Sequence, residues 1–115
     1  MSLVIYHNPR CSKSRQTLQL IEEHGQQPDV IEYLKTPPSV EALTAIIAAL
    51  DVSPRDIIRN KEAEYKESGL DNQDLSDSEI IALMVANPKV IERPIVVNGD
   101  KAAVGRPPEN VLAIL

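Results

Sequence analysis

The stretch LVIYHNPRCSKSRQTLQLIEEHGQQPDVIEYL, residues 3–34, decides the fold. Its first apolar run, Leu3–Tyr6, predicts a buried strand. A helix is expected from about Cys11, and Gly25 is a residue typical of the position just past a helix C-terminus. Val30–Leu34 is rich in apolar and aromatic residues and predicts a second strand. Such a β-α-β unit has parallel strands, and it places Cys11 at the carboxyl end of the first strand, where open α/β sheets bind ligands.

The middle of the chain predicts helices. An apolar stripe at helical period runs from Val40 to Leu50. Ser53–Asp56 predicts a short helix with proline at its first position. Ser76–Glu79 matches a capping box for a further helix, which Asn87-Pro88 ends. Residues 60–75 are polar and are expected at the surface.

The last third of the chain predicts a β-hairpin. Two apolar runs, Pro94–Val97 and Ala102–Val104, flank the sequence Asn98-Gly99-Asp100-Lys101. Asn-Gly between apolar runs favours a type I′ turn, which needs positive φ at both central residues. A short apolar helix is expected to follow and to end at Leu115.

This order of elements is typical of an α/β protein with a thioredoxin-like fold. We expect a four-stranded mixed sheet in a single domain, residues 1–115. A helical insertion at about 39–88 would separate the β-α-β half from the C-terminal half of β-hairpin and helix.

Composition and charge exclude several classes of function. The net charge of −5 and the pI of about 5.0 argue against a nucleic-acid or membrane-surface partner. No apolar run approaches the roughly 20 residues of a membrane helix, and no secretory signal pattern is present. A single cysteine is consistent with a reducing compartment, so a cytoplasmic location is expected.

Charge is unevenly distributed along the chain. Residues 1–21 carry +3, from Arg10, Lys13 and Arg15, whereas the remaining residues carry −8. A positive end on an acidic protein suggests that a small anion is handled there. The alternative is a solvated helix face that happens to be basic.

Cys11 is the candidate nucleophile. The expected helix N-terminus, the neighbouring cations and the Ser14 hydroxyl, which could donate to sulfur, would all lower the pKa of a thiol. The alternative is a small buried hydrophobe, which the polar flanking residues disfavour. His7 would orient the loop by hydrogen bonding or be an ordinary satisfied histidine. With two histidines and one cysteine, the sequence predicts no metal site.

A lone cysteine also constrains any redox chemistry. Turnover through a disulfide needs a second thiol, which must come from outside the chain, from glutathione or a thiol protein. The sequence Cys11-Ser12-Lys13-Ser14 has serine where a dithiol enzyme has its second cysteine. The same spacing fits a monothiol glutaredoxin-like protein.

Several motifs together resemble one known family, the glutaredoxin-linked arsenate reductases of the ArsC family. The resemblance covers essentially the whole chain and is closest to a short, reductase-like branch. The motifs that carry it, in chain order, are Tyr6–Arg15, Tyr33–Pro38, Ile57–Arg59, Glu92–Val97 and Gly105–Glu109.

The resemblance implies a set of roles. Cys11 would be the nucleophile, with His7 and Ser14 supporting the thiolate. Three oxyanion-binding arginines are implied at Arg59, Arg93 and Arg106. The resemblance also implies a cis peptide bond at Arg93-Pro94, the cis-proline site of thioredoxin-like folds.

The implied reaction is the reduction of arsenate to arsenite, with glutathione as co-substrate and glutaredoxin as partner. No metal or bound organic cofactor is implied. Two other functions stay open: a monothiol glutathione-dependent oxidoreductase with another substrate, and a non-enzymatic regulator like the Spx family, which shares this fold and binds RNA polymerase. Spx proteins often carry a Cys-x-x-Cys switch, which Ser14 removes here.

Overall fold

The computed structural model describes residues 3–115. Its strands are β1 Leu3–His7, β2 Asp29–Glu32, β3 Ile95–Asn98 and β4 Lys101–Val104. Its α-helices are α1 Ser12–Glu23, α2 Val40–Leu50, α3 Ala63–Glu67 and α4 Asp77–Ala86. Three 3-10 segments complete the description: Pro54–Ile57, Pro88–Val90 and Pro108–Ile114.

The four strands form one mixed sheet in the order β2-β1-β3-β4. Strand β1 is parallel to β2 and antiparallel to β3, and β3 is antiparallel to β4. A β-α-β half therefore joins a β-hairpin half through the central pair β1-β3. The predicted four-stranded thioredoxin-like sheet is confirmed.

The chain divides into two compact units, and the first holds the sheet. This unit comprises the chain up to Thr36 together with Arg93–Leu115. Its core joins β1, α1, β3 and the last 3-10 segment through four side chains that are fully buried: Ile5, Ile21, Val96 and Val111. This packing fixes α1 against the sheet, so the start of α1 is held near the carboxyl end of β1.

The second unit, Pro37–Glu92, contains the predicted helical insertion. In it α2 packs against α4. Both helices begin where the sequence predicts, because Ser39 and Ser76 accept hydrogen bonds from the backbone N–H groups of Ala42 and Glu79. The single-domain organisation over 1–115 stays a prediction.

The second strand is shorter than predicted. It ends at Glu32, because the backbone N–H groups of Lys35 and Thr36 both donate to the Glu32 carbonyl at 2.9 Å and turn the chain. Tyr33 is buried in this turn, with 2% of its surface exposed. The turn leaves Leu34 and Lys35 at the carboxyl end of the sheet rather than inside a strand.

The hairpin turn differs from the predicted one. Asn98 pairs with Lys101, so the two central residues are Gly99 and Asp100 instead of Asn98 and Gly99. Of these two, only Gly99 has a positive φ, of 63°. The type I′ prediction is therefore wrong: Asn98 extends β3, where its Nδ2 donates to the Ile114 carbonyl, and glycine alone supplies the left-handed conformation.

Residues 60–75 lie at the surface as expected, with one exception. The segment contains α3, and its Leu70 is fully buried. The Arg55 guanidinium donates to the Leu70 carbonyl at 2.8 Å and the Asn72 carbonyl at 2.6 Å, which holds this loop in place. Within residues 3–115, no helix combines the length and the apolar character needed to cross a membrane.

Candidate functional site

Cys11 lies at the N-cap of α1, directly after the loop that follows β1. Its backbone is extended, with φ −92° and ψ 124°, and its side chain makes no capping hydrogen bond. The Cys11 N–H donates to the Asn8 carbonyl at 3.0 Å, closing the turn that brings the chain from strand to helix. Cys11 as a whole residue is 9% exposed. The sulfur thus sits at the free N–H groups of a helix end, which favours an anion.

The pKa of Cys11 is lowered from its ordinary value. Burial, the largest single influence, would raise this pKa. It is outweighed by the backbone N–H groups of Ser14 and Lys13 and by the charges of Arg93 and Arg106, which all stabilise the thiolate. Cys11 therefore has the electrostatic surroundings of a reactive thiol rather than of a buried apolar residue.

Arg106 is in direct contact with the sulfur. Its Nη2 donates to Cys11 Sγ at 3.5 Å, although the two residues are 95 positions apart in the chain. Its Nε donates to the Arg93 carbonyl at 2.7 Å, which sets the direction of the guanidinium. The structure thus brings together Cys11, Arg93 and Arg106, three of the residues that the resemblance implies.

A close approach between α1 and the end of β4 holds Arg106 in place. The Gly105 N–H donates to the Pro94 carbonyl at 2.9 Å, and Thr17 Oγ1 donates to the carbonyls of Lys13 at 2.7 Å and Gly105 at 3.4 Å. A Cβ on Gly105 would lie 2.5 Å from Thr17 Oγ1. Thr17, fully buried, had no predicted role, since nothing in its local sequence shows that a residue 88 positions away packs on it.

The peptide bonds before Pro94 and Pro107 are both cis. The bond at Arg93-Pro94 confirms what the resemblance implies. The bond at Arg106-Pro107 was not predicted.

His7 and Ser14 form a buried, hydrogen-bonded pair. Ser14 Oγ lies 2.6 Å from His7 Nδ1, and it accepts a hydrogen bond from the Asn8 N–H at 3.0 Å. Burial lowers the pKa of His7; the charge of Glu32 opposes this and that of Arg15 adds to it. Ser14 acts on the sulfur through its backbone N–H, so the expected hydroxyl donation to sulfur is replaced by a hydroxyl that organises the loop.

The three local cations contribute less to the thiol than the sequence suggested. Arg10, Lys13 and Arg15 all have exposed side chains. Arg15 Nη1 donates to the Pro9 carbonyl at 2.9 Å, and Lys13 influences the pKa of Cys11 through its backbone N–H. The charges that lower the pKa of Cys11 are those of arginines distant in sequence.

Arg59 belongs to the second unit. Its Nη1 donates to Glu62 Oε1 at 2.6 Å, and its backbone N–H donates to the Val90 carbonyl at 2.7 Å. Its part in an oxyanion site stays a prediction.

A cavity of about 300 Å³ adjoins the loop before Cys11. Glu32, Leu34 and Lys35 line it on one side, and the sequence assigned no role to any of them. Leu34 and Lys35 belong to the Tyr33–Pro38 motif, one of those that carry the family resemblance. A motif alone does not show which side chains line the same cavity.

The sequence is similar to known proteins along nearly its whole length. The family model described as the ArsC family matches residues 6–114. An arsenate reductase from Haemophilus influenzae is 50% identical over 116 residues, which cover 100% of both chains. An uncharacterized protein, YfgD, from Escherichia coli is 51% identical over 112 residues, 96% of this chain and 94% of that one.

A solved structure gives the same picture in three dimensions. The arsenate reductase from Vibrio cholerae superimposes with a TM-score of 0.94 at 53% sequence identity. The match covers 100% of this chain and 98% of that one. Fold and sequence therefore point to the same group of proteins.

Proposed function

Because the chain belongs to the ArsC family, we propose that it reduces arsenate to arsenite with electrons from glutathione and glutaredoxin, through the Cys11 thiolate. The observation that carries the proposal is the position of Cys11 at a helix N-terminus, with its pKa lowered and Arg106 Nη2 3.5 Å from its sulfur. Relatives about 50% identical that are named arsenate reductases support the same activity.

The arginines fit the chemistry of the substrate. Arsenate is a tetrahedral oxyanion, and a guanidinium offers planar paired donors that stay charged at any physiological pH. A thiolate and an oxyanion repel each other, so cations are needed to hold both. Arg93 and Arg106 act on Cys11 directly, and the family resemblance adds Arg59 as the third oxyanion-binding arginine.

The proposed cycle has three steps. The Cys11 thiolate attacks arsenic, an S–As bond forms and an oxygen leaves as water after protonation. A glutathione thiolate then attacks Cys11 Sγ: the S–S bond forms, and the S–As electron pair stays on arsenic, reducing As(V) to As(III). Arsenite takes up protons and leaves. Finally a glutaredoxin thiolate attacks the glutathione sulfur of the mixed disulfide and releases the Cys11 thiolate.

The cycle needs no bound metal or organic cofactor, since all electrons come from thiols. Because Cys11 is the only cysteine of the 115-residue sequence, the second and third thiols are supplied by separate molecules. We place the reaction in the cytoplasm, where thiols are kept reduced.

The test is arsenate-dependent NADPH oxidation in the presence of glutathione, glutaredoxin and glutathione reductase. We expect turnover by the wild type and none by Cys11→Ser, with Ser12→Ala as the matched control that keeps activity. Mass spectrometry of the stalled wild type, without glutaredoxin, should show one glutathionyl group on Cys11. Turnover by Cys11→Ser would refute covalent catalysis by this thiol.

A second candidate function is glutathione-dependent thiol oxidoreduction of another substrate. The sequence Cys11-Ser12-Lys13-Ser14, with one thiol and no resolving cysteine, favours it. Cys11 that is rapidly alkylated near neutral pH but shows no arsenate turnover would select this function. An Spx-like regulator would instead be retained by RNA polymerase in a pull-down.

A further inference from the structure

The cavity before Cys11 joins two motifs of the first unit that are distant in sequence. Parallel pairing of β1 and β2 sets His7 opposite Glu32, so the loops after both strands open at the same edge of the sheet. Ligands of open α/β sheets bind at this edge. The cavity measures about 300 Å³, and the residues that line it are His7, Asn8, Pro9, Arg10, Glu32, Leu34 and Lys35.

The charged groups of this cavity are two cations and one carboxylate. Lys35 Nζ lies 3.5 Å from Glu32 Oε1, with side chains 80% and 43% exposed. An ion pair this exposed contributes little to the stability of the protein. Lys35 and Glu32 can therefore each give up this contact and bind a charged group of a ligand instead. Within residues 3–115, the Arg10 guanidinium makes no hydrogen bond or ion pair, and it is exposed to solvent.

The cavity lies within reach of the nucleophile. Arg10 directly precedes Cys11, so their Cα atoms are about 3.8 Å apart. An extended tripeptide spans about 10 Å. Cys11 does not line the cavity, but a tripeptide thiol bound at Arg10 is long enough to extend from there towards Cys11.

We propose that this cavity binds glutathione, with Arg10 and Lys35 receiving its two carboxylates and Glu32 its ammonium group. Glutathione carries two carboxylates and one ammonium, which complements the charged groups of the cavity one for one. A volume of about 300 Å³ is at the lower end of the range for small-ligand pockets. This inference rests on the proposed function, because it assigns the second step of that cycle to a site.

The bound thiol reacts as in that step. Its thiolate attacks Cys11 Sγ, the S–S bond forms, and the electron pair of the broken S–As bond reduces arsenic. The reverse type of exchange probes the same site without arsenate: the Cys11 thiolate attacks glutathione disulfide, one S–S bond forms, another breaks, and one glutathione thiolate leaves.

The experiment compares two disulfides as reactants. The rate at which Cys11 forms a mixed disulfide is measured with glutathione disulfide and with hydroxyethyl disulfide, which is neutral. The variants are Arg10→Gln and Lys35→Gln, both at exposed positions. Lys101→Gln is the matched control. It removes the same charge from β4, and β4 and β2 are the two outer strands of the sheet, on opposite sides of it.

We expect each cavity variant to slow the reaction with glutathione disulfide about threefold, because it loses one exposed charge pair with the ligand. The rate of the reaction with the neutral disulfide should not change. In steady-state turnover, the KM for glutathione should rise while the KM for arsenate stays constant. Unchanged rates with glutathione disulfide, equal slowing with both disulfides, or equal slowing by Lys101→Gln would each overturn the proposal.

The two proposals can fail separately. Absence of arsenate turnover, together with selective loss of reaction with glutathione disulfide, would remove the arsenate function and leave the glutathione site. Arsenate turnover with a KM for glutathione unaffected by both cavity variants would do the opposite.

Discussion

Replacing Arg106 with glutamine should raise the pKa of Cys11 by about one unit. Two unit charges at the observed separation of 3.5 Å interact by about 1 kcal/mol in water and about 5 kcal/mol at an effective dielectric constant of about 20. Arg106 is exposed, so the lower figure applies. A change of about 1 kcal/mol corresponds to slightly less than one pKa unit.

The assay is alkylation of Cys11 by iodoacetamide as a function of pH. The midpoint of the profile is compared, because a thiolate of higher pKa is intrinsically more nucleophilic and the rate at one pH mixes both effects. We expect the midpoint of Arg106→Gln to move upward by about one unit. At high pH, where both thiols are ionised, the variant should react up to about threefold faster than the wild type, because its thiolate is the more nucleophilic one.

Arg10→Gln is the matched control for this experiment. It removes the same charge from the residue next to Cys11, and its profile should coincide with that of the wild type. An unshifted Arg106→Gln profile, or an equal shift in Arg10→Gln, would refute the view that the distant arginine, rather than local charge, stabilises the thiolate.

Three further predictions concern stability. Leu70→Ala should lower the free energy of unfolding by about 2–5 kcal/mol, whereas Leu112→Ala, at a side chain 37% exposed, should change it much less; urea denaturation measures both. Ser76→Ala should cost about 1 kcal/mol through loss of the α4 cap while arsenate turnover stays unchanged. Burial lowers the pKa of His7 below its ordinary value of 6.5 in the folded protein. The folded state therefore binds a proton at His7 less readily than the unfolded state, and the free energy of unfolding should fall as the pH drops below 6.5. Urea midpoints measured above and below pH 6.5 should show this fall in the wild type and a smaller one in His7→Gln.

The fold could be predicted largely from local signals. The serines that cap α2 and α4 and the glycine that follows α1 act on groups within four residues, so their effect is readable from sequence. Leu70 was missed because one apolar residue in a polar segment has no periodicity. The hairpin turn was displaced by one residue because pairing of Asn98 with Lys101 is decided between strands.

The candidate site divides in the same way. The helix N-terminus around Cys11 follows from its own neighbours and was predicted. The guanidinium that contacts its sulfur comes from Arg106, and its placement depends on Gly105 fitting against Thr17, a contact across 88 positions. Spacing alone holds no information on such contacts, so only the family resemblance identified the arginine.

The nucleophile also occupies a position where helices prefer another residue. Cys11 is the N-cap of α1, yet its side chain makes no capping hydrogen bond, whereas serine, threonine, asparagine or aspartate there would typically stabilise a helix by about 1 kcal/mol. The protein thus forgoes stability at the one residue that reacts. This is a trade-off between stability and activity within a single side chain: selection for a tighter helix and selection for a reactive sulfur act on the same position in opposite directions.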